Sequence, residues 1–543
     1  MADPNDADTI FKRFKEHSIA EFFKKNRQML GYSGKVRSLT TIVHEYVTNS
    51  MDATEEAGIL PEISVDVREL GEDKYSVAVT DNGPGIPKSI VGKAMATVLA
   101  GTKFHRYMQQ RGQQGIGAAS CTLFSLITTN KPIHVKAGTS RDSYECDISI
   151  DTRNNKPIIT NAVDSEKSFK GFSVHGEFGD VKYEGGDHGI YEYLKRTALA
   201  NPHVQIKLHE PDGNEILFPR SASSLPKRPK EIKPHPLGIN ASELLEFAQA
   251  SQSRKISSFL IETFSRFTQN KVDEIKQAAH GIDLEKEPRH LKWEEAEQLV
   301  KVFKSLKWVS PELDSLSMIG EEGIAAAIKN ILNPQFVSVS ERKPRIFRGG
   351  VPFVVETGIA YGGGAGKKIG DAESGSILRF ANKVPLLFDG SACAITDAVR
   401  GIDWKRYGIQ KFDEEPVSVM VNVSSVYIPY SGVGKQAVSK EEEIIEEIKL
   451  SVQEAGRGIQ RYISGVRNRN IQESKYKIIM RYISQLSGDL SELTGTERGR
   501  IEESLKELVD SKYRHLFADE GDGQGAADSR NGSKDSGASV TAN

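Results

Sequence analysis

At 543 residues the chain is too long for one apolar core and suggests three or four domains. Its 72 Lys and Arg against 74 Asp and Glu leave a formal net charge of −2, so no global basic field marks it for nucleic acid and any such contact must come from local patches. Three widely spaced cysteines without a C-x-x-C pair argue against structural zinc and disulfides and fit a reducing compartment.

The N-terminus is acidic and has no apolar centre, so no signal peptide is expected, and no run approaches the length of a membrane span. Ser38 to Ala53 predicts an amphipathic helix, with Leu39, Ile42, Val43, Tyr46 and Val47 forming one apolar stripe. Glu45, Asn49 and Asp52 lie on a different face at spacings of four and three, where side chains are neighbours. There Asn49 offers a neutral oxygen to Mg²⁺, a hard cation, and Glu45 can accept a proton from an attacking water. Alone, E-x-x-x-N is an ordinary solvated face; the segments that follow change its weight.

Ile63, Val65, Val67 and then Tyr75, Val77, Val79 alternate with polar residues and predict two strands, each with one buried face. The second ends at Asp81, followed by Asn82-Gly83-Pro84-Gly85. A carboxylate fixed at a strand end can accept the exocyclic amine of adenine, whereas guanine would present an oxygen there. By itself the segment is a common turn. From Gly101-Thr102-Lys103 to Arg111 the chain is rich in Lys, His, Arg and Gln, as a lid over a polyanion would be. Gly112-Gln113-Gln114-Gly115-Ile116-Gly117 then leads through Ala118-Ala119 into a predicted buried helix. A glycine-rich loop entering a helix presents free N–H groups and the helix dipole to phosphates. Base, metal ligand, adenine reader, lid and phosphate cover occur in order, and together they specify an ATP site built without a P-loop. Gly362-Gly363-Gly364-Ala365-Gly366-Lys367-Lys368 is not a P-loop, because Tyr361 stands where the first Gly is needed and Lys368 where Ser or Thr is needed. It reads as a flexible loop.

Ser221 to His235, rich in Pro and Lys, reads as a linker after an ATPase unit built on a mixed sheet with helices on one face. Helical patterns follow, opened by a capping-box-like Asn240 and Glu243 and continued over Ser253 to Phe267 and Lys271 to Ala279. Strands return at Phe336 to Val339, Phe353 to Val355 and Val417 to Tyr427, with a helix expected over Ile395 to Ile402. Lys440 to Phe517 is strongly helical, and Ala518 to Asn543 has the composition of a disordered tail. Lys227, Arg228, Lys230 and Lys233, then Arg342, Lys343, Arg345 and Arg348, then Arg467 and Arg469, are the local basic clusters. Each, judged alone, is a solvated face.

The nucleotide segments resemble the Bergerat-fold ATPases of the GHKL superfamily. The chain is more closely similar to one family within it. Ile19-Ala20-Glu21-Phe22-Phe23-Lys24-Lys25-Asn26-Arg27-Gln28, Tyr191-Glu192-Tyr193-Leu194-Lys195-Arg196-Thr197-Ala198, Arg379-Phe380-Ala381-Asn382-Lys383-Val384-Pro385 and Asp403-Trp404-Lys405-Arg406-Tyr407-Gly408 resemble the B-subunit family of topoisomerase VI, the ATP-gated half of type IIB DNA topoisomerases. The resemblance implies a multidomain α+β fold: a Bergerat ATPase domain over residues 1–225, a helix-two-turn-helix domain over 226–306, a transducer with long C-terminal helices over 307–517, and a tail over 518–543. It implies Glu45 as the general base, Asn49 as the Mg²⁺ ligand and Asp81 as the adenine contact. It further implies Gly85, Thr102, Lys103 and the run Gly112, Gln113, Gln114, Gly115, Ile116, Gly117, Ala118, Ala119 as nucleotide contacts. Lys435, in Ser431-Gly432-Val433-Gly434-Lys435, resembles the switch lysine that reaches the terminal phosphate. Implied partners are ATP, Mg²⁺, a second copy joined through the N-terminal domain, duplex DNA and a DNA-cleaving A-type subunit in an A2B2 heterotetramer, while the expected absence of targeting segments fits a prokaryotic, archaeal cytoplasm. One departure stands out: the family has a Gly-Thr pair near the end of its ATPase sheet, and here the chain reads Gly171-Phe172-Ser173. Either Ser173 supplies that hydroxyl or the correspondence is shifted. The rival readings are another ATPase of the superfamily, such as a MutL-like repair ATPase, or an ATP-driven clamp or chaperone.

Overall fold

The computed structural model describes residues 21–513 apart from 22, 24, 26, 29–30, 102–105, 113–114, 142, 166–168, 370–371 and 433, and apart from the side chains of 368, 369, 372 and 373. Thr102, Lys103, Gln113, Gln114 and the expected tail therefore lie outside the described residues. Contacts divide the chain into two compact units, one ending at Ile459 and the other starting at Gln460.

In the first unit, helix α1 (Lys35–Glu56) buries Leu39, Ile42, Val43, Tyr46, Val47 and Met51 as one stripe. Gly34, at φ 81, allows the chain to turn sharply into it. Strands β1 (Glu62–Gly71) and β2 (Lys74–Asp81) pair antiparallel, with Ile63 opposite Asp81. After α2 (Val91–Ala96) and α3 (Gly117–Thr129) come β3 (Ile133–Gly138), β4 (Ser143–Asp151), β5 (Lys156–Asp164) and β6 (Gly171–Gly179). Helix α4 (Ile190–Ala200), β7 (Gln205–His209) and β8 (Glu215–Phe218) complete a mixed eight-stranded sheet in the order β5-β4-β3-β6-β2-β1-β7-β8. Only β1 and β7 run parallel. Val65, Val77, Val79, Val135 and Ile148 from the strands and Phe124, Tyr193 and Leu194 from the helices share one core. The alternating strand positions thus turn their apolar side to the helices, as the period-two pattern requires.

A second core lies among α5 (Ala241–Ala250), α6 (Ile256–Thr263), α7 (Gln269–Ala278) and α8 (Trp293–Ser305), around Leu244, Phe259, Leu260, Phe264, Ile275 and Phe303. The start of α5 is a full capping box: the Glu243 N–H donates to Asn240 Oδ1 at 3.0 Å and the Asn240 N–H to Glu243 Oε2 at 2.9 Å.

Helix α9 (Glu321–Leu332) covers a second sheet built from β9 (Phe336–Glu341), β10 (Arg345–Phe347), β11 (Val351–Tyr361), β14 (Ser376–Ala381), β15 (Val384–Pro385) and β16 (Val417–Ser425). β12 (Lys367–Ile369) and β13 (Ala372–Ser374) pair separately, so the glycine run after Tyr361 is a turn into a short strand rather than a plain loop. Gly362, Gly363 and Gly366 supply the positive φ values that this turn needs. β14 and β16 are parallel neighbours, and the crossover between them carries α10 (Ala394–Arg400). β16 differs from its Val/Ser alternation: all nine of its residues are buried. Its polar side is paired inside, with Ser376 and Ser418 hydroxyls at 2.8 Å and Asn422 Nδ2 donating to Glu356 Oε2 at 2.8 Å.

Helix α11 (Glu442–Thr494) ends just before Gly495, and α12 (Arg498–Tyr513) follows. Ile444, Ile448 and Val452 of α11 are fully buried in the first unit. In the second unit Tyr476 donates to Asp510 at 2.9 Å, tying the two helices together. No helix among the described residues is long and apolar enough to cross a membrane. Two of the basic clusters pair with carboxylates of the same chain. Lys227 and Lys230 pair with Asp314, Arg342 and Arg345 with Glu447, and Arg348 with Glu441.

Candidate functional site

Between α1, the end of β2 and the start of α3 lies a cavity of about 500 Å³. Its wall includes Glu45, Asn49, Asp81, Gly85, Gly112, Gly115, Ile116, Gly117, Ala118, Ala119 and Lys435. Every sequence-predicted site residue that the structure describes is therefore in one place. Asp52 is the exception on the polar face of α1: it turns to Arg111 instead, at 2.8 Å, and lines a different cavity.

Asp81 is 5 % exposed and its two oxygens are fixed from three directions. Ser50 Oγ donates at 2.7 Å, the Gly83 N–H at 2.9 Å and the Phe172 N–H at 3.2 Å. Burial pushes the Asp81 carboxyl above its usual value, and these three donors oppose the shift. The site is thus a rigid acceptor placed by a strand end, a turn and the neighbouring strand.

Ser173 pairs with Thr80 across β2 and β6, and the two hydroxyls lie 2.8 Å apart. Its neighbours Phe172 and Val174 line the cavity. Alternation along β6 puts the Ser173 side chain on the other face, so it does not supply a hydroxyl to this pocket. Phe172 and Val174 are apolar wall residues that the motifs did not reveal; the pairing of Phe172 with Asp81 is the register that would have found them.

The glycines act differently from one another. Gly115 has φ 59 and Gly85 φ 69, where a side chain is strained. Gly112 has neither positive φ nor a close neighbour. At Gly117 a Cβ would fall 1.8 Å from Glu45 Oε2, so this glycine keeps room for the carboxylate. With Glu45 as the expected general base, Gly117→Ala should displace it and lower ATP turnover by about tenfold to a hundredfold. Steady-state ATPase assays check this, and an unchanged rate would mean the carboxylate position is unimportant. Helix α3 begins at Gly117 without a side-chain cap and with no acid in its first turn. Its N–H groups and dipole are left for an anion in the cavity.

Lys435 reaches this cavity from the second sheet's side of the unit. It follows β16 in a loop closed by a Tyr430–Val438 bridge and by the Ser431 N–H donating to Ala437 O at 2.9 Å. Its backbone is left-handed, at φ 51. Burial holds the His44 imidazole below its usual value, Glu45 opposes this, and Lys435 adds to it, so His44 is neutral near pH 7. Nearby, the Arg37 guanidinium sits 4.4 Å over the Phe388 ring and pairs with Asp389 at 3.3 Å, attaching the second sheet's segment to the first turn of α1.

A second cavity, about 420 Å³, lies beyond the other end of α1. Arg111 is its anchor. Its guanidinium donates to Asp52 Oδ1 at 2.8 Å, to Glu55 Oε1 at 2.7 Å and to Asn201 Oδ1 at 2.6 Å. Burial alone would raise the Glu55 carboxyl; the Arg111 charge and hydrogen bonds from His203 and Arg111 outweigh it and hold it well below the usual range.

The arrangement defines a class before it defines a family: an ATPase of the P-loop-free kind, joined to a second sheet that reaches into its site. Residues 34–156 match the histidine kinase-, DNA gyrase B- and HSP90-like ATPase family, and residues 311–476 match the topoisomerase VI B subunit transducer family. The chain is 41 % identical over 553 residues to the type 2 DNA topoisomerase 6 B subunit of Pyrococcus horikoshii, covering 93 % of this chain and 97 % of that one. It is 42 % identical over 511 residues to the protein of that name from Methanothermobacter thermautotrophicus, with the same coverage. The Thermococcus sibiricus protein is 39 % identical over 560 residues, covering 94 % and 98 %. The chain belongs to the family of type 2 DNA topoisomerase 6 B subunits, and ATP binding comes with its ATPase domain.

Proposed function

We propose that the 500 Å³ cavity binds and hydrolyses ATP, with Glu45 as the general base, and that this chain thereby gates a DNA-cleaving partner. The observation that carries the reading is the meeting of Glu45, Asn49 and Lys435 in one wall, although Lys435 lies far along the chain beyond a second sheet. Asp81 accepts the adenine amine beside Gly85, and the run Gly112 to Ala119, with Thr102, Lys103, Gln113 and Gln114, covers the phosphates. The Asn49 side chain is exposed into the cavity, and a carboxamide oxygen fits Mg²⁺, which takes few protein ligands and otherwise holds water and phosphate. Bound there with the nucleotide, Mg²⁺ would supply charge neutralisation at the phosphates. Lys435 places a point charge at the terminal phosphate and so reports its presence to the transducer.

On this reading two copies close on ATP through residues 1–225 and the transducer of 307–517 relays the change, while residues 226–306 form a helix-two-turn-helix domain. The partner is an A-type subunit that breaks a DNA duplex, in an A2B2 assembly of an archaeal cytoplasm, and strand passage relaxes or decatenates DNA. This chain contributes ATP hydrolysis and gating, and no DNA cleavage of its own.

Asp81→Asn tests the adenine assignment. The new amide would set a donor against the adenine amine, losing about 1–3 kcal/mol of binding. Titration of an ATP analogue should show that loss as a clearly weaker dissociation constant. Unchanged affinity would remove Asp81 from the site.

A further inference from the structure

The β14–β15 hairpin turns on two residues, Asn382 at φ 50 and Lys383 at φ 67. Such a turn prefers Asn followed by Gly, since both positions are left-handed. Lysine at the second position is strained, and it is also buried, at 4 % exposure. Its backbone anchors need no side chain: the Lys383 N–H donates to Asn422 Oδ1 at 3.0 Å and its carbonyl accepts from Asn201 Nδ2 at 3.0 Å. A glycine would lack the buried stem and the ammonium, which donates to Ser317 Oγ at 2.9 Å; burial lowers its pKa to about 8, the Glu55 carboxylate of α1 and the Glu356 carboxylate of β11 oppose this, and the Arg111 charge adds to it.

This turn sits against the root of the glycine cover. Asn382 Nδ2 donates to Gln110 O at 2.9 Å. The Ser317 N–H donates to Gln109 Oε1 at 2.7 Å, so Ser317 holds both Gln109 and the lysine. Arg111, the residue before Gly112, binds the same Asn201 that holds the Lys383 carbonyl, and it reaches Asp52 and Glu55 on the helix carrying Glu45 and Asn49.

We propose that Lys383 is a positioning residue for ATP turnover: from the transducer hairpin its ammonium holds Ser317, and through Ser317 the Gln109 root of the phosphate cover, by a route separate from Lys435. The proposal rests on the ATP-site reading above.

Lys383→Gly creates the turn sequence the backbone prefers but removes the buried stem with the ammonium, so Lys383→Met, which keeps an apolar stem without the charge, is measured beside it to separate this role from a structural one. In the full-length chain, analogue affinity should stay within about twofold while kcat falls about tenfold to a hundredfold. Lys383→Met should lose the rate to a similar extent, and Lys383→Arg, which keeps the charge, should restore most of it. Normal kcat in Lys383→Gly overturns the proposal. So does a fall in melting temperature accompanied by lost analogue binding, which would make the lysine structural. Glu45→Ala is measured alongside. If it is inactive and Lys383→Gly is normal, only the positioning role falls; if Glu45→Ala itself turns over normally, both readings fall.

Discussion

A chain carrying Glu45→Ala is expected to bind ATP as the unaltered chain does and to hydrolyse it about 10²–10⁴-fold more slowly. The separation follows from where the groups lie. Glu45 is half-buried on α1, one turn from Asn49, with Gly117 packed against its carboxylate. Asp81, the proposed adenine acceptor, is fixed by Ser50, Gly83 and Phe172, none of which touches Glu45 through a described hydrogen bond. Removing the base leaves the reading of the nucleotide intact. Glu45→Gln keeps the size and loses the basicity, so it should behave like the alanine variant. Single-turnover hydrolysis together with analogue titration checks both halves. A normal rate in either variant would reject Glu45 as the base.

Arg111→Ala should destabilise the fold by about 3–5 kcal/mol, the range for breaking a buried ion pair from one side. The Arg111 side chain is 6 % exposed and is shared by Asp52 at 11 % and Glu55 at 22 %. Its loss takes the guanidinium away from Asp52, Glu55 and Asn201 around the second cavity. The pH dependence has a definite sign. In the unaltered chain Glu55 is held below its ordinary value of 4.5, so its contribution is fully present above that pH and is lost as pH falls. Without the guanidinium only His203 still opposes the effect of burial, so Glu55 is held down less strongly. The difference between the two chains should therefore be largest near neutral pH and shrink on acidification through about pH 4.5. Chemical denaturation at several pH values measures this. A pH-independent difference, or one under about 1 kcal/mol as for an exposed pair, would contradict it.

The parts of this molecule that could be read from the chain are those set by local spacing. The apolar stripe of α1 foretold its buried face, and the spacing of Glu45 and Asn49 placed both in one wall. The same spacing failed for Asp52, because helical geometry makes side chains neighbours without saying which partner each will meet. Arg111, brought from the lid's far end, decides that. The strand expected over Val417 to Tyr427 carried no sign of what its polar side meets; Ser376, Gln109 and Glu356 from elsewhere cover it. Lys435 had no local signal, only its resemblance, because a lysine in a glycine loop is ordinarily solvated. Lys383 had none either: neither its burial nor its left-handed turn can be inferred from Asn-Lys between two apolar runs.

The central claim is that the triphosphate lies between α1 and the start of α3, and a structure of the chain bound to a non-hydrolysable ATP analogue with Mg²⁺ addresses it most directly. The adenine amine is expected on Asp81, the phosphates against Gly115 to Ala119, and the terminal phosphate between Glu45, Asn49 and Lys435. A nucleotide seated elsewhere, such as the second cavity beside Arg111 and Lys383, would contradict it.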